Sequence, residues 1–296
     1  MDWWRRINAR DLLGKELLNI KFVGHGLNGA VFRARSKSHS TLVAIKFVRV
    51  KRDDLLTRKR FHSEIEAMQR LDGDGAVRVF DVNIKANPPF YVMEYLKLGD
   101  FRKFLAKRTT TTASALDMFL SVCECVAKCH AANITHRDLK PENILFRGVD
   151  DPILSDFGIC KIDDLPLGTT VFEMRRRGTP LYMAPEQLKD NLVQSKPADV
   201  FALGTILQAD IGDRIRDAAL KDQIADISHK CREFVPERRA KIEDLKHSVQ
   251  RIRGDVQQRL DKRPGLHRLG MMVNALRQRV GKIDHSLLME EAEETL

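Results

Sequence analysis

Apolar and polar positions along this chain change their period once, near Tyr95. Before it, LLNIKFV (17–23) and AVFRARS (30–36) are rich in β-branched and aromatic residues, and TLVAIKFVRV (41–50) is an almost unbroken apolar run, so all three read as strands. One helix interrupts them: in LLTRKRFHSEIEAMQRL (55–71), Phe61, Ile65, Met68 and Leu71 recur at helical spacing. After Tyr95 helical segments dominate. SVCECVAKCHAAN (121–133) has helical character, and RTTTTAS (108–114) reads as a turn that ends in a helix N-cap. Near the end, KRPG (262–265) should stop a helix through Pro264 and Gly265, and beyond it Leu269, Met272, Val273, Leu276, Val280 and Ile283 recur at steps of three and four. Such a stripe needs a surface: the body of the same chain, a second subunit, or a partner helix docked on 266–283. The N-terminal DWWRR (2–6) is expected to cap the first, strand-rich unit rather than to lie on a membrane.

Composition narrows the class. With 43% hydrophobic and 31% charged residues, 296 residues make a soluble globular chain with one large core or two modest ones. No apolar run approaches the roughly 18 residues of a membrane span, and MDWWRRINAR has no signal-peptide core, so no transmembrane segment and a cytoplasmic location are expected. Five cysteines, an odd number, suggest reduced thiols. Cys123, Cys125, Cys129 and His130 hint at a metal site, but only Cys125 and Cys129 share a helical face; small buried hydrophobes are the better reading. The net charge of +10 suits acidic partners in general, yet no nucleic-acid-reading element accompanies it, and no specific nucleic acid is expected. The charge is uneven: residues 247–283 are strongly basic, and DHSLLMEEAEETL (284–296) is acidic.

Chemistry enters with Gly24-x-Gly26-x-x-Gly29 in GHGLNGAVF (24–32). This spacing serves dinucleotide-binding turns, which open a helix, and kinase glycine loops, which join two strands. Here strands flank it and no helix cap follows Gly29. Downstream come VAIK ending at Lys46, THRDLKPENILF (135–146), LSDFGICK (154–161) and GTPLYMAPE (178–186), in that order. Through these motifs the chain resembles the eukaryotic-type (Hanks) protein kinases over roughly residues 17–250.

The resemblance implies an α+β, bilobal kinase fold: an N-terminal extension (1–16), a β-rich N-lobe with one regulatory helix (17–95), a mostly helical, shortened C-lobe (96–250), and a helical basic tail with an acidic end (251–296). It implies ATP and Mg2+ as cofactors and a protein as substrate. Val23, Gly24, Gly26 and Gly29 would form the lid over the phosphates, with Val31, Ala44 and Leu145 about the adenine, Met93 as gatekeeper, and backbone groups of Glu94 and Leu96 at the adenine edge. Lys46 would hold the α- and β-phosphates, anchored by Glu64; Glu66 competes but points off the face that carries Ile65 and Met68. Asn143 and Asp156 offer hard oxygens to magnesium. Asp138 would orient the attacking hydroxyl, its ordinary carboxylate pKa making alignment matter more than proton abstraction, and Lys140 would reach the transferring phosphate. Met68, Phe157 and His136 would stack into a column, with Asp199 fixing the His136 backbone. Lys140 and Thr179 point to the serine/threonine branch.

Two departures stand out. Only 40 residues separate Asp199 from Arg239, the expected partner of Glu186, which implies a C-lobe lacking most of one helix. Arg137 would ordinarily meet a phosphorylated residue in the activation segment, yet the matching positions hold Glu173, Met174 and Arg175. Glu173 pairing with Arg137 as a built-in substitute is one reading, and autophosphorylation of Thr169 or Thr170 is the other. A non-catalytic signalling scaffold acting through the C-terminal helix is the alternative to an active kinase.

Overall fold

A computed structural model of the chain describes residues 3–7, 12–26, 29–49, 55–106, 110–158, 160–162, 180–188 and 196–261. The first half builds one antiparallel sheet from β1 (Leu17–His25), β2 (Gly29–Ser36), β3 (Thr41–Val48), β4 (Val79–Asn83) and β5 (Phe90–Glu94), in the order β1-β2-β3-β5-β4. Alternation divides its residues. Phe32, Ile45, Phe47, Phe90 and Val92 share a core on one face, covered by Trp3, Trp4, Ile7, Leu12 and Leu13 of the N-terminal segment. Helix α1 (Leu55–Leu71) joins a second and larger core through Phe61, Ile65, Met68 and Leu71, together with Val48 and Tyr91.

The second half is mainly helical. Helix α2 (Phe101–Leu105) is capped by Asp100, whose carboxylate accepts from the Lys103 N–H. Helix α3 (Thr112–Ala131) starts with a reciprocal box between Thr111 and Ser114, within the expected capping stretch. It is apolar on several sides and lies deep in the lobe, which buries Cys123, Cys125 and Cys129 alike; all five cysteines are free and buried. Short strands follow in two pairs, β6 (Ile134–Thr135) with β9 (Lys161–Ile162) and β7 (Ile144–Gly148) with β8 (Asp151–Leu154).

Helix α4 (Pro197–Ile206) is almost wholly buried and widens at its end into a π turn, Leu207–Ile211, where the Gly212 N–H reaches back to the Leu207 carbonyl. Helix α5 (Ala218–Cys231) crosses α4 so closely that a Cβ on Gly204 would stand 2.5 Å from Cys231 Cβ. Between α4 and Arg239, α5 is the single α-helix, in keeping with a shortened lobe. Helix α6 (Ile242–Asp261) buries Leu245, Val249 and Ile252, and Arg253 reaches back to Asp117 on α3 at 2.8 Å.

Helix α6 runs across residue 250, its apolar stripe continuing through Ile252 and Val256 against the core. The tail beyond Asp261, including 266–283, lies outside the described residues. Among those described, no helix is long and apolar enough to cross a membrane.

Candidate active site

Strand register builds the first half of the site. Val31 lies opposite Lys46, Lys46 opposite Tyr91, and Ala44 opposite Met93. Directly paired residues and residues two apart share a face, so these five look the same way, away from the Phe32 and Phe47 core. The Gly26 N–H donates to the Gly29 carbonyl at 2.9 Å across the base of the loop. A Cβ on Gly29 would stand 2.1 Å from the Phe47 carbonyl oxygen, whereas one on Gly24 or Gly26 would meet nothing within 4 Å among the described residues. Packing between β2 and β3 thus demands the third glycine, and the first two leave open space beside the backbone. Val23, at the foot of the loop, is exposed.

Lys46 joins the two lobes. Its Nζ donates to Glu64 Oε1 at 2.6 Å and to Asp156 Oδ1 at 2.9 Å. Tyr91 donates its hydroxyl to the same Glu64 oxygen at 2.8 Å. Burial by itself would lower the Lys46 pKa, but Asp156 and Glu64 outweigh it and hold the ammonium well above its ordinary value. Burial would raise Asp156, and Lys46 overcomes it, leaving the carboxyl at about 2. The ammonium is therefore a fixed charge between two fixed carboxylates. Glu66, the competing candidate, is instead turned to solvent and pairs with Arg70 one turn on.

The residues of HRDLKPEN hang from a buried carboxylate. Asp199 accepts from the His136 N–H at 2.9 Å and the Arg137 N–H at 2.8 Å, and His130 Nε2 lies 2.9 Å away. His136 Nδ1 accepts from the Asp138 N–H at 3.3 Å, which leaves Nε2 to donate to the Ser155 carbonyl at 3.0 Å. His136 packs on Phe157 with ring centroids 4.6 Å apart; Met68 is buried in the same core as Phe157. Arg137 and Asp156 both hold positive φ, 68° and 61°, conformations costly for side-chain-bearing residues and typical of over-determined functional loops.

Asp138 takes Lys140 Nζ on Oδ2 at 2.8 Å, and Asn143 Nδ2 donates to its carbonyl at 2.7 Å. The expectation of an ordinary carboxylate is corrected here: burial pushes the Asp138 pKa up, with Lys140 opposing. Asn143 thus spends its amide nitrogen on Asp138, leaving Oδ1 as an acceptor, and Asp156 spends one oxygen on Lys46. This donor set fits a cation such as Mg2+, which takes one or two protein oxygens and fills its shell with phosphate and water. Among the described residues, no cage of three or more His, Cys, Asp or Glu is present.

At the junction of the lobes, the Glu94 N–H is bonded to the Arg78 carbonyl at 3.1 Å, which leaves its carbonyl as the group able to meet a base edge. Its carboxylate clamps Arg147 at 2.7 Å. Met93, Leu96 and Leu145 are half-buried against the larger core. Below, Glu186 and Arg239 form a two-pronged pair with both contacts at 2.6 Å, and Arg239 Nη1 also reaches the Pro197 carbonyl. Gln187 donates to the Arg137 carbonyl at 2.8 Å. Thr169, Thr170, Glu173 and Thr179 lie outside the described residues, as does any pairing of Glu173 with Arg137.

Sequence reasoning passed over three contributors. Tyr91 stands two residues before Met93 on the same strand face, a signal available from alternation alone. Gln187 follows Glu186 directly. The cluster in which Arg102 donates to Tyr182 at 2.7 Å and Tyr182 donates to Asp210 at 2.9 Å, with Glu142 3.5 Å from Arg102, unites four separate segments and left no local signal.

The chain is similar to the serine/threonine-protein kinase AfsK of Streptomyces coelicolor, at 34% identity over 69% of this chain and 24% of AfsK. It is similar to CBL-interacting serine/threonine-protein kinase 19 of Arabidopsis thaliana, at 31% identity over 66% of this chain and 40% of the relative. Serine/threonine-protein kinase Pkn1 of Myxococcus xanthus is 32% identical over 72% of this chain and 31% of Pkn1. The matches thus span 24% to 40% of these relatives' lengths. The family model described as protein kinase domain matches residues 17–250, and with that the chain belongs to the protein kinase domain family.

Proposed function

We propose that this chain transfers the γ-phosphate of ATP to serine or threonine hydroxyls of proteins. The observation that carries the reading is the buried Lys46–Glu64–Asp156 network, with Asp138, Lys140 and Asn143 hydrogen-bonded together on the catalytic loop. Phosphoryl transfer needs charges fixed before the reaction more than it needs covalent help. Lys46 would hold the α- and β-phosphates under the Gly24–Gly29 loop. Asp138 would align the acceptor hydroxyl and take its proton as the hydroxyl oxygen bonds to the γ-phosphorus. The bond from that phosphorus to the bridging oxygen then breaks, and ADP leaves with the electron pair. Lys140 would offset charge on the transferring group. Asn143 and Asp156 would hold Mg2+, which when bound shields the phosphate charge. The serine/threonine assignment is supported by the relatives' names and by Lys140.

A signalling scaffold that works through its C-terminal helix would not need this set intact, and the set is complete. Transfer of radiolabel from ATP to a generic protein substrate tests the reading. Asp138→Asn should lower the rate by at least about a hundredfold while calorimetry still shows ATP binding, and Lys46→Met should abolish transfer. Transfer by Asp138→Asn within a few-fold of the natural chain would sink the proposal.

A further inference from the structure

The segment ahead of β1 is laid on the strand that feeds the glycine loop. Trp4 stacks on Phe22 with ring centroids 3.9 Å apart and planes 7° apart, and on His25 at 5.5 Å. Phe22 in turn meets Phe32 edge-on at 5.4 Å, so the stack is rooted in the sheet core. His25 sits between Gly24 and Gly26, inside the loop itself.

The strand needs such support. β1 is an edge strand with β2 as its one neighbour, and its ladder slips between Leu18 and Lys21 and again between Phe22 and Gly24. The second slip falls where the strand becomes the loop. A loop stem held from one side through a broken ladder opens readily. The Trp4 indole holds it from the other side, and its Nε1 makes no hydrogen bond among the described residues, so ring contact seats it.

We propose that Trp4 is a positioning residue for the nucleotide loop: through Phe22 and His25 it keeps the loop stem in its binding-ready place. The inference rests on reading Gly24–Gly29 as the nucleotide loop. None of the contacts reaches Asp138, so the effect falls on capture of ATP and not on transfer. A loop that must first be ordered binds with an affinity reduced by the fraction that is ready, which raises KM and leaves kcat unchanged.

The chain's composition supplies a direct probe, since its two tryptophans are Trp3 and Trp4. In full-length Trp3→Phe protein, emission comes from Trp4 alone. Titration with a non-hydrolysable ATP analogue and Mg2+ should change that emission with the same midpoint that calorimetry gives for binding. In steady-state assays, Trp4→Ala should raise KM for ATP roughly three- to tenfold, the range one aromatic pair supplies, with kcat within about twofold. Trp4→Phe should restore KM, since no hydrogen bond is lost. The proposal is overturned by an unchanged KM in Trp4→Ala, by a fall in kcat alone, by Trp4→Phe behaving like Trp4→Ala, or by flat emission while calorimetry records binding. Should Trp4→Ala fail to fold by circular dichroism, the emission titration and Trp4→Phe decide. Absence of calorimetric binding to the natural chain would instead remove the nucleotide-loop reading itself.

Discussion

Removing the carboxylate at Glu186 while leaving Arg239 in place should destabilise the C-lobe far more than an ordinary salt-bridge loss. The Arg239 side chain is completely buried, and both of its short contacts go to Glu186. Taking one partner from a buried pair leaves an uncompensated charge, which costs about 3–5 kcal/mol. Two features set the value near the lower end. Arg239 Nε keeps the Glu233 carbonyl at 2.8 Å and Nη1 keeps the Pro197 carbonyl at 3.0 Å, and the guanidinium still lies over the Phe201 ring at 5.1 Å. About 3 kcal/mol corresponds to a fall of about 6–12 °C in Tm for a domain of this size. Glu186→Ala, Arg239→Ala and the double variant should be melted by circular dichroism at low and high salt. The double variant should lose less than the sum of the singles, because it leaves no orphaned charge, and added salt should change little, since the pair is shielded from solvent. A Glu186→Ala protein melting within about 2 °C of the natural chain, or singles that add, would refute the argument.

Four further outcomes follow from the same geometry. Asp138 is raised by burial and lowered by Lys140, so Lys140→Met should move the acid limb of kcat/KM to higher pH; a limb that stays or moves down contradicts this. The stability signs are opposite for the two aspartates: the Asp156 contribution is complete above the unfolded carboxyl pKa and lost as pH falls towards about 2, while that of raised Asp138 is complete at low pH and lost as pH rises through its folded value. Gly29→Ala should cost about 1–3 kcal/mol by overlap with the Phe47 carbonyl and Gly24→Ala less than about 0.5 kcal/mol, so equal melting points would disprove the contrast. Gly204→Ala should cost a similar 1–3 kcal/mol by forcing α4 from α5, read as a lowered Tm, and an unchanged Tm would mean that the helices yield freely.

What could be read in advance was whatever depends on local period. Helical phase turned Glu66 off the Ile65 and Met68 face, while the choice of Glu64 and the placing of Val31 and Ala44 came from the family resemblance. Tyr91 was passed over although alternation sets it on the Met93 face; that its hydroxyl meets Glu64 depends on the β3–β5 register and the seat of α1, which only the folded chain fixes. The environment of Asp138 was missed because burial is a non-local property: HRDLKPEN looks polar, yet packing encloses it. The N-terminal tryptophans were expected on the strand-rich lobe, but nothing in DWWRR says that the ring met there is Phe22.

The π turn after α4 decides where Asp210 comes to lie. A regular helix advances about 100° per residue, so a uniform continuation would set Asp210 in the row of Leu203 and Ile206, both fully buried and apolar. The wide turn accommodates one additional residue, which turns Asp210 off that row. Asp210 then comes round beneath Tyr182, and through that hydroxyl to Arg102 beside Glu142 of the catalytic loop. The π-wound Leu207–Ile211 therefore does not share the phase of α4, and a wheel drawn at constant pitch misplaces Asp210. Loss of a single residue there would restore the regular pitch and rotate the carboxylate into hydrocarbon, uncoupling α4, which holds the His136–Arg137 backbone, from the Tyr182–Arg102 cluster.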